Sequence, residues 1–461
     1  MRMPPIDEIH DALAFCTAGG AEFAELFFES TLLHAVVCED GRVERVTSGL
    51  DEGFGFRATT GTRTAYGYSN RLDGGELMKI GRGVLAELGG SGGREAIRPG
   101  LPATAVAEAA VPAEGVPVEK KVEIVLAADR AARAAGSGIG QVQAACRDSL
   151  QRVSIFNSEG VAVSDERRQI VFTVRAIATD GHDLQTAYRS IGGRAGFEIF
   201  DDDEHEALAA EAGKSALTIL GARRAPAGTM TVVLASCAGG TMTHEAIGHG
   251  LEGDAAEKGL SIYSGKVGER VASPLVTVID DATLAGRRGS YGFDDEGAPA
   301  RRTVSVERGV LRGYLLDRRT ARKTGRESTG NGRRQNFRFR PIVRMSNTFI
   351  APGEDDPAAI VAEVDRGLYV ARMGGGQVDT SSGDFVFKVN EAFLIEKGRI
   401  GEPVRGATLI GNGPQVLREI DRVGDDLGFD IGTCGKDGQQ VPVADAQPTL
   451  RIPSITVGGE A

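Results

Sequence analysis

The sequence predicts an α+β protein: N-terminal antiparallel sheet units flanked by helices, followed by a strand-rich C-terminal domain that carries one chemically distinctive helix. Three observations predict it. Short apolar runs of β character are separated by turn residues, helical periodicity is confined to a few blocks, and the order helix, antiparallel strands, helix occurs twice in the first half. With 461 residues and roughly 100–200 residues per domain, we expect three domains, at 1–115, 116–222 and 223–461.

After Pro4-Pro5, Ile6, Ile9 and Leu13 fall at helical spacing, which predicts a first helix over 5–18. From Ala21 to Asn70 short runs alternate with glycine, and the EDG and TTG breaks predict hairpin turns in a meander. GELMKIGRGVLAEL then predicts a helix covering that sheet. Residues 93–117, rich in Ala, Pro, Gly and Glu without periodicity, read as a linker or a long excursion. A second unit follows, with helix VEKKVEIVLAADRAARAAG, strands turning at NSEG, and helix DDDEHEALAAEAGKSALTIL. The acidic run Asp201–Glu206 around His205 stands at a helix start, where carboxylates complement the helix dipole, so it is read as solvated rather than metal-binding. His10, His34 and His182 have no partner at ligand spacing. GARRAPAG, at 221–228, marks the next boundary.

Glycine supplies 64 of the 461 residues, about twice the ordinary share, while Gly and Pro together stay below the ~25–30% of low-complexity chains. The glycines therefore belong to a folded protein. Lys plus Arg 53 against Asp plus Glu 64 gives a net charge of −11, which argues against a nucleic-acid partner. The densest basic stretch, Arg333, Arg334, Arg338, Arg340 and Arg344, reads as a solvated strand face or an interface. No apolar run approaches the ~18 residues of a membrane span, and the N-terminus lacks a signal-like core, so a cytoplasmic protein without membrane attachment is expected. The 5 cysteines are scattered, with no C-x-x-C pair, which disfavours a disulfide framework.

The chemistry concentrates in TMTHEAIGHGLEGDAAE, read as a helix following the β-run TMTVVLASCAGG. His244, Glu245 and His249 lie in it with H-E-x-x-x-H spacing. Histidines four apart share a helix face, whereas five apart they diverge by about 140° on a regular α-helix. A one-residue π-bulge restores a common face, and Gly248 stands where such a distortion is tolerated. On that reading this is a metal helix; on the other, His244 and His249 are unrelated, one of them buried, and share no site. A catalytic zinc takes three protein ligands and keeps one position open. Glu252, Cys237 and Cys434 are the candidates for the third. Cys434, between Gly432 and Gly435 with Lys436 nearby, sits in a setting that favours a thiolate. Glu245, beside a ligand, is the natural general base.

The chain also resembles the TldD/PmbA family of metallopeptidases, specifically its TldD branch. The resemblance rests on HEAIGHGLEGD (244–254), FDDEG (293–297), STGNGRR (328–334), RMSNTFIAPGE (344–354), GGGQVDTSSGDFVF (374–387), GATLIGNGP (406–414) and CGKDGQQVPV, with DEGFGFRA and AYGYSN upstream. It implies a zinc peptidase acting on unfolded or short peptides, with one Zn²⁺ held by His244, His249 and Cys434 and with Glu245 as catalytic glutamate. It also implies a dimer, either of this chain or with a TldE (PmbA)-like paralogue lacking the metal residues.

Gly374, Gly375, Gly376 and Gln377 open an alternating β-run suited to pairing with an extended peptide through the main chain, and are the expected substrate-binding residues. Two other functions compete with the peptidase. One is a non-catalytic peptide-binding subunit with structural zinc, which would require a fourth protein ligand. The other is a hydrolase using Cys434 as nucleophile, which leaves the His-Glu-His cluster unexplained.

Overall fold

A computed structural model describes residues 3–89, 95–106 and 109–459. Helix α1 (Ile6–Ala18) buries Ile9, Ala12, Leu13 and Cys16, one stripe at helical period. Strands β1 (Phe23–Glu39) and β2 (Arg42–Thr60) form a hairpin closed by Asp40 and Gly41, with φ of 49° and 72°. Positive φ at both turn positions matches the right-handed twist of the strands it joins. Strand β3 (Arg63–Ser69) completes the meander. Helix α2 (Gly74–Leu88) is capped by Asp73, whose carboxylate accepts from the Glu76 amide at 2.9 Å, and both helices cover Phe28, Phe54 and Phe56.

The next elements are β4 (Ala103–Val106), α3 (Val118–Arg133), β5 (Ile139–Asn157), β6 (Ala162–Thr179), β7 (Leu184–Gly193) and α4 (Glu204–Leu220). Helices α3 and α4 bury Val125, Ala128, Ala212 and Ala216 against Phe172 and its neighbours on the sheet. These two helix-strand-helix units do not form separate sheets. β1 pairs antiparallel with β5 from Glu25↔Asn157 to Glu39↔Gln143, giving one seven-stranded sheet in the order β3-β2-β1-β5-β6-β4, with β7 on β6. The stretch expected as a linker supplies β4, which pairs parallel with β6 from Ala103↔Val163. Residues 93, 94, 107 and 108 of that stretch lie outside the described residues.

The C-terminal half holds two larger sheets. In one, strands Gly228–Leu234, Arg366–Val378, Asp384–Glu396, Thr408–Asn412 and Leu450–Gly458 pair in a closed ring, and Val232, Leu234, Val370, Phe387 and Leu409 are buried in its core. The other is six-stranded and ends on strand Gly428–Lys436, whose partner in the sheet is Gln439–Gln447. That terminal strand carries Cys434.

Charged side chains weld the halves together. Arg57 of β2 donates to Glu25 at 2.7 Å and to Glu296 at 2.5 Å, and Arg334 reaches Glu25 at 2.6 Å. Arg167 of β6 bridges Asp165 at 2.9 Å and Asp295 at 2.8 Å. Of the basic stretch expected on a solvated face or interface, Arg333, Arg334 and Arg344 are thus interior, while Arg340 is exposed. Arg333 donates to the Met345 and Pro442 carbonyls, and Arg344, fully buried, donates to the Cys434 carbonyl. Arg338, by contrast, lies at the surface with Asp51. A guanidinium with several N–H donors can serve two carboxylates at once, which is what a buried junction of this kind requires. Replacing Arg57 with Met leaves Glu25 and Glu296 short of their counter-ion, and we expect a loss of about 3–5 kcal/mol, read as a lowered denaturation midpoint. An unchanged midpoint would show that the network contributes no net stability.

Candidate metal centre

Strand Gly228–Leu234 delivers the chain to Gly240, where an added Cβ would stand 2.2 Å from the Ala446 amide nitrogen. Only glycine lets the backbone pass that close to strand Gln439–Gln447. The segment expected as one helix then breaks into pieces: an α turn Thr241–Thr243, a π turn His244–Gly248, a 3₁₀ turn His249–Leu251, and a short helix Gly253–Glu257 after extended Glu252 (ψ 120°). The His249 amide donates to the His244 carbonyl, the five-residue step of a π turn. Gly248 passes Met345, whose sulfur would lie 2.3 Å from an added Cβ.

The widened turn brings both imidazoles to one side. Nε2 of His244 lies 3.2 Å from Cys434 Sγ, and Nε2 of His249 lies 3.5 Å from it. The rings are 4.9 Å apart and perpendicular, and the three donor atoms lie within 4.8 Å of one another. Each outer nitrogen is held by a carboxylate, His244 Nδ1 by Asp445 at 2.7 Å and His249 Nδ1 by Glu252 at 3.0 Å. Lys436 Nζ joins Glu252 (3.1 Å), Asp254 (2.7 Å) and the Val343 carbonyl (3.0 Å), tying the strand of Cys434 to the segment of His249.

Of the three candidates for third ligand, Cys434 alone stands in this cluster. Glu252 is engaged by His249 and Lys436, and Cys237 Sγ donates to the Ala371 carbonyl at 3.4 Å. Gly374, Gly375, Gly376 and Gln377 lie on strand Arg366–Val378, with Gly376 opposite Phe387 and Gln377 opposite Val386. Among the described residues they make no side-chain hydrogen bond to the cluster.

Burial raises the Cys434 thiol, but the two imidazoles beside it outweigh burial and bring it down to about 5. Lys436 was expected to favour this thiolate; its ammonium instead serves Glu252 and Asp254, and the histidines do that work. Burial opposes the charge on His249 as well, yet Glu252 and Cys434 raise it to about 9. Asp445 raises His244 in the same way. Glu252 falls to about 2, because His249 and Lys436 overcome its burial. Glu245 is raised, chiefly by burial, against the pull of the two histidines. It makes no hydrogen bond to a described residue, so its carboxylate is uncommitted.

Little in the sequence singles out Asp445, a lone carboxylate in the otherwise uncharged run QQVPVADAQ, or Arg344, which is inconspicuous among the neighbouring arginines. Two imidazole nitrogens and a thiolate suit a borderline-soft divalent metal, and outer-nitrogen carboxylates of this kind fix the orientation and basicity of ligating histidines. The fold and this donor set fit a metalloenzyme.

Comparison with known proteins narrows the class. Residues 227–459 match the PmbA/TldA metallopeptidase C-terminal domain, 111–220 its central domain and 24–84 its domain 1. The chain is 39% identical over 449 residues to the metalloprotease TldD homolog of Haemophilus influenzae, covering 95% of this chain and 93% of that one. It is 35% identical to a metalloprotease of Methanothermobacter thermautotrophicus, covering 95% and 96%. Among solved structures it resembles TldE of Thermococcus kodakarensis (TM-score 0.76, 18% identity, 98% and 100% covered). It also resembles a Thermotoga maritima protein called a modulator of a DNA gyrase (TM-score 0.78, 22% identity, 98% and 99% covered). The chain belongs to the TldD/PmbA family of metallopeptidases and is a peptide-bond hydrolase. No described helix is long and apolar enough to cross a membrane.

Two measurements test this geometry. Asp445→Asn should weaken metal binding roughly 10–100-fold in chelator competition while the fold is retained; unchanged affinity would mean that the contact does not orient His244. In metal-stripped protein, the ultraviolet thiolate signal removed by Cys434→Ala should persist as pH falls from 8 and disappear only near pH 5. Loss of that signal near the ordinary cysteine value would refute the imidazole-stabilised thiolate.

Proposed function

We propose that this chain is a zinc-dependent peptidase hydrolysing peptide bonds of unfolded or short extended peptides, with Glu245 as general base. The observation that carries this reading is the cluster of His244, His249 and Cys434 beside an uncommitted carboxylate. The donor set supports zinc, which is bound by nitrogen and thiolate and, with three protein ligands, keeps a position for the reacting groups. Such an ion supplies Lewis acidity, polarising a carbonyl and lowering the pKa of water.

The chain's own residues supply the rest. Asp445 and Glu252 hold the imidazoles in one tautomer, with Nε2 directed inward. Lys436 holds Glu252 in place, and the buried guanidinium of Arg344 holds the backbone at Cys434. Glu245, raised toward neutrality by burial, is suited to take a proton from the attacking water and pass it to the leaving amine. Gly374, Gly375, Gly376 and Gln377, the last three exposed, offer main-chain hydrogen bonds to an extended peptide, a recognition indifferent to most side chains. We further propose that the chain works as a dimer with itself or with a TldE (PmbA)-like paralogue, in the cytoplasm.

Glu245→Ala should retain about one zinc per chain by metal analysis and lose peptide cleavage by roughly 10²–10⁴-fold. Cleavage at the wild-type rate would sink the assignment of the base. Cleavage that survives complete zinc removal would sink the zinc mechanism.

A further inference from the structure

A cleft of about 270 Å³ opens between the β2–β3 hairpin and helix Arg318–Thr324, and a second of about 140 Å³ adjoins it. The two share Arg57, Thr59, Thr62, Thr64 and Arg319 as lining residues, so they form one continuous groove. In a chain of net charge −11, its walls are conspicuously cationic. Most of that charge is already matched. Arg57 sits between Glu25 and Glu296, Arg318 pairs with Glu159 and lies 4.0 Å from the Phe23 ring, Arg322 pairs with Glu22, and Lys323 with Glu257. Arg319, Lys258 and Arg340 form no ion pair or side-chain hydrogen bond among the described residues, and of the three only Arg319, half-buried, lines both clefts, with the Asp317 carboxylate two residues away offsetting part of its charge.

Facing it are hydroxyls in the same condition. Thr59 and Thr64 are direct cross-strand partners, so their side chains leave the same face of the hairpin, two residues from Arg57. Neither they nor Thr62 in the turn make a side-chain hydrogen bond to a described residue. A planar guanidinium with free N–H donors, opposed by hydroxyls that can donate, is the chemistry that recognises an oxyanion such as a carboxylate or phosphate. The groove also reaches the metal centre's supports. Asp254, which lines its second part, is the carboxylate held at 2.7 Å by Lys436, the lysine that grips Glu252.

We propose that this groove is an anion subsite that takes a carboxylate of the peptide, an acidic side chain or the C-terminus, with Arg319 as its principal cation and Thr59, Thr62 and Thr64 as hydroxyl donors. This rests on the peptidase reading for the identity of the ligand, and it makes the enzyme prefer acidic substrates on a scaffold otherwise reading backbone.

The test is binding rather than turnover, in the full-length Glu245→Ala protein loaded with zinc so that peptides stay intact. A fluorescent glutamate-containing peptide, its glutamine counterpart, the C-terminally amidated form of each, and inorganic phosphate as competitor are compared by anisotropy. The acidic peptide should bind roughly tenfold or more tightly than its neutral, amidated counterpart, and adding Arg319→Gln should abolish that advantage while leaving the neutral peptide's affinity unchanged. Thr59→Val with Thr64→Val should reduce the advantage in part. Equal binding of acidic and neutral peptides overturns the proposal and leaves the peptidase reading intact. Failure of every peptide to bind overturns both. Phosphate binding that depends on Arg319, without discrimination between peptides, would assign the groove to a free oxyanion and overturn the peptide assignment.

Discussion

The centre depends on a helix that cannot remain a helix. Five residues separate His244 from His249, and regular α geometry would send them to different sides. The π turn removes that divergence, at the cost of regular hydrogen bonding in the turn. It persists because both ends are fixed. Gly240 lies against the backbone of strand Gln439–Gln447, Gly248 passes Met345, and Glu252 ends the turn as a carboxylate gripped by His249 and Lys436. Irregular backbone therefore occurs where the surrounding packing determines it completely, the condition under which distorted segments persist at functional sites.

The same logic extends outward. Cys434 sits on the terminal strand of its sheet, paired on one side with Gln439–Gln447, so contacts from beyond that sheet help to fix its position. Arg344 supplies that constraint at its carbonyl and Lys436 supplies it two residues on. A separate set of buried carboxylates and arginines joins the seven-stranded sheet to the C-terminal half. Buried charge of this kind is costly unless every member is paired. The pairing makes relative movement of the halves expensive, so the N-terminal sheet acts as part of the site's frame.

Glycine abundance also acquires a specific meaning. At Asp40-Gly41 it serves an ordinary hairpin, but at Gly240 it allows two backbones to approach so that a histidine can meet a thiol contributed from nearly two hundred residues later. Composition alone cannot separate these uses, because the requirement at Gly240 comes from the strand beside it.

Much was legible without coordinates. Local periodicity and turn chemistry identified α1, the β1–β3 meander, α2, α3 and α4, because each is decided by neighbours in the chain. The His-Glu-Gly-His spacing demanded either a distorted helix or no shared site, and the long motifs identified the family. What only the tertiary structure decided are the long-range pairings. These are β1 with β5, the edge strand made from an apparent linker, the interior fate of Arg333, Arg334 and Arg344, and the Asp445 and Lys436 clamps. The reason is physical. Propensity and spacing act over a few residues, whereas whether an arginine is solvated or buried, and which carboxylate meets which histidine, depends on what other segments of the folded chain place opposite it.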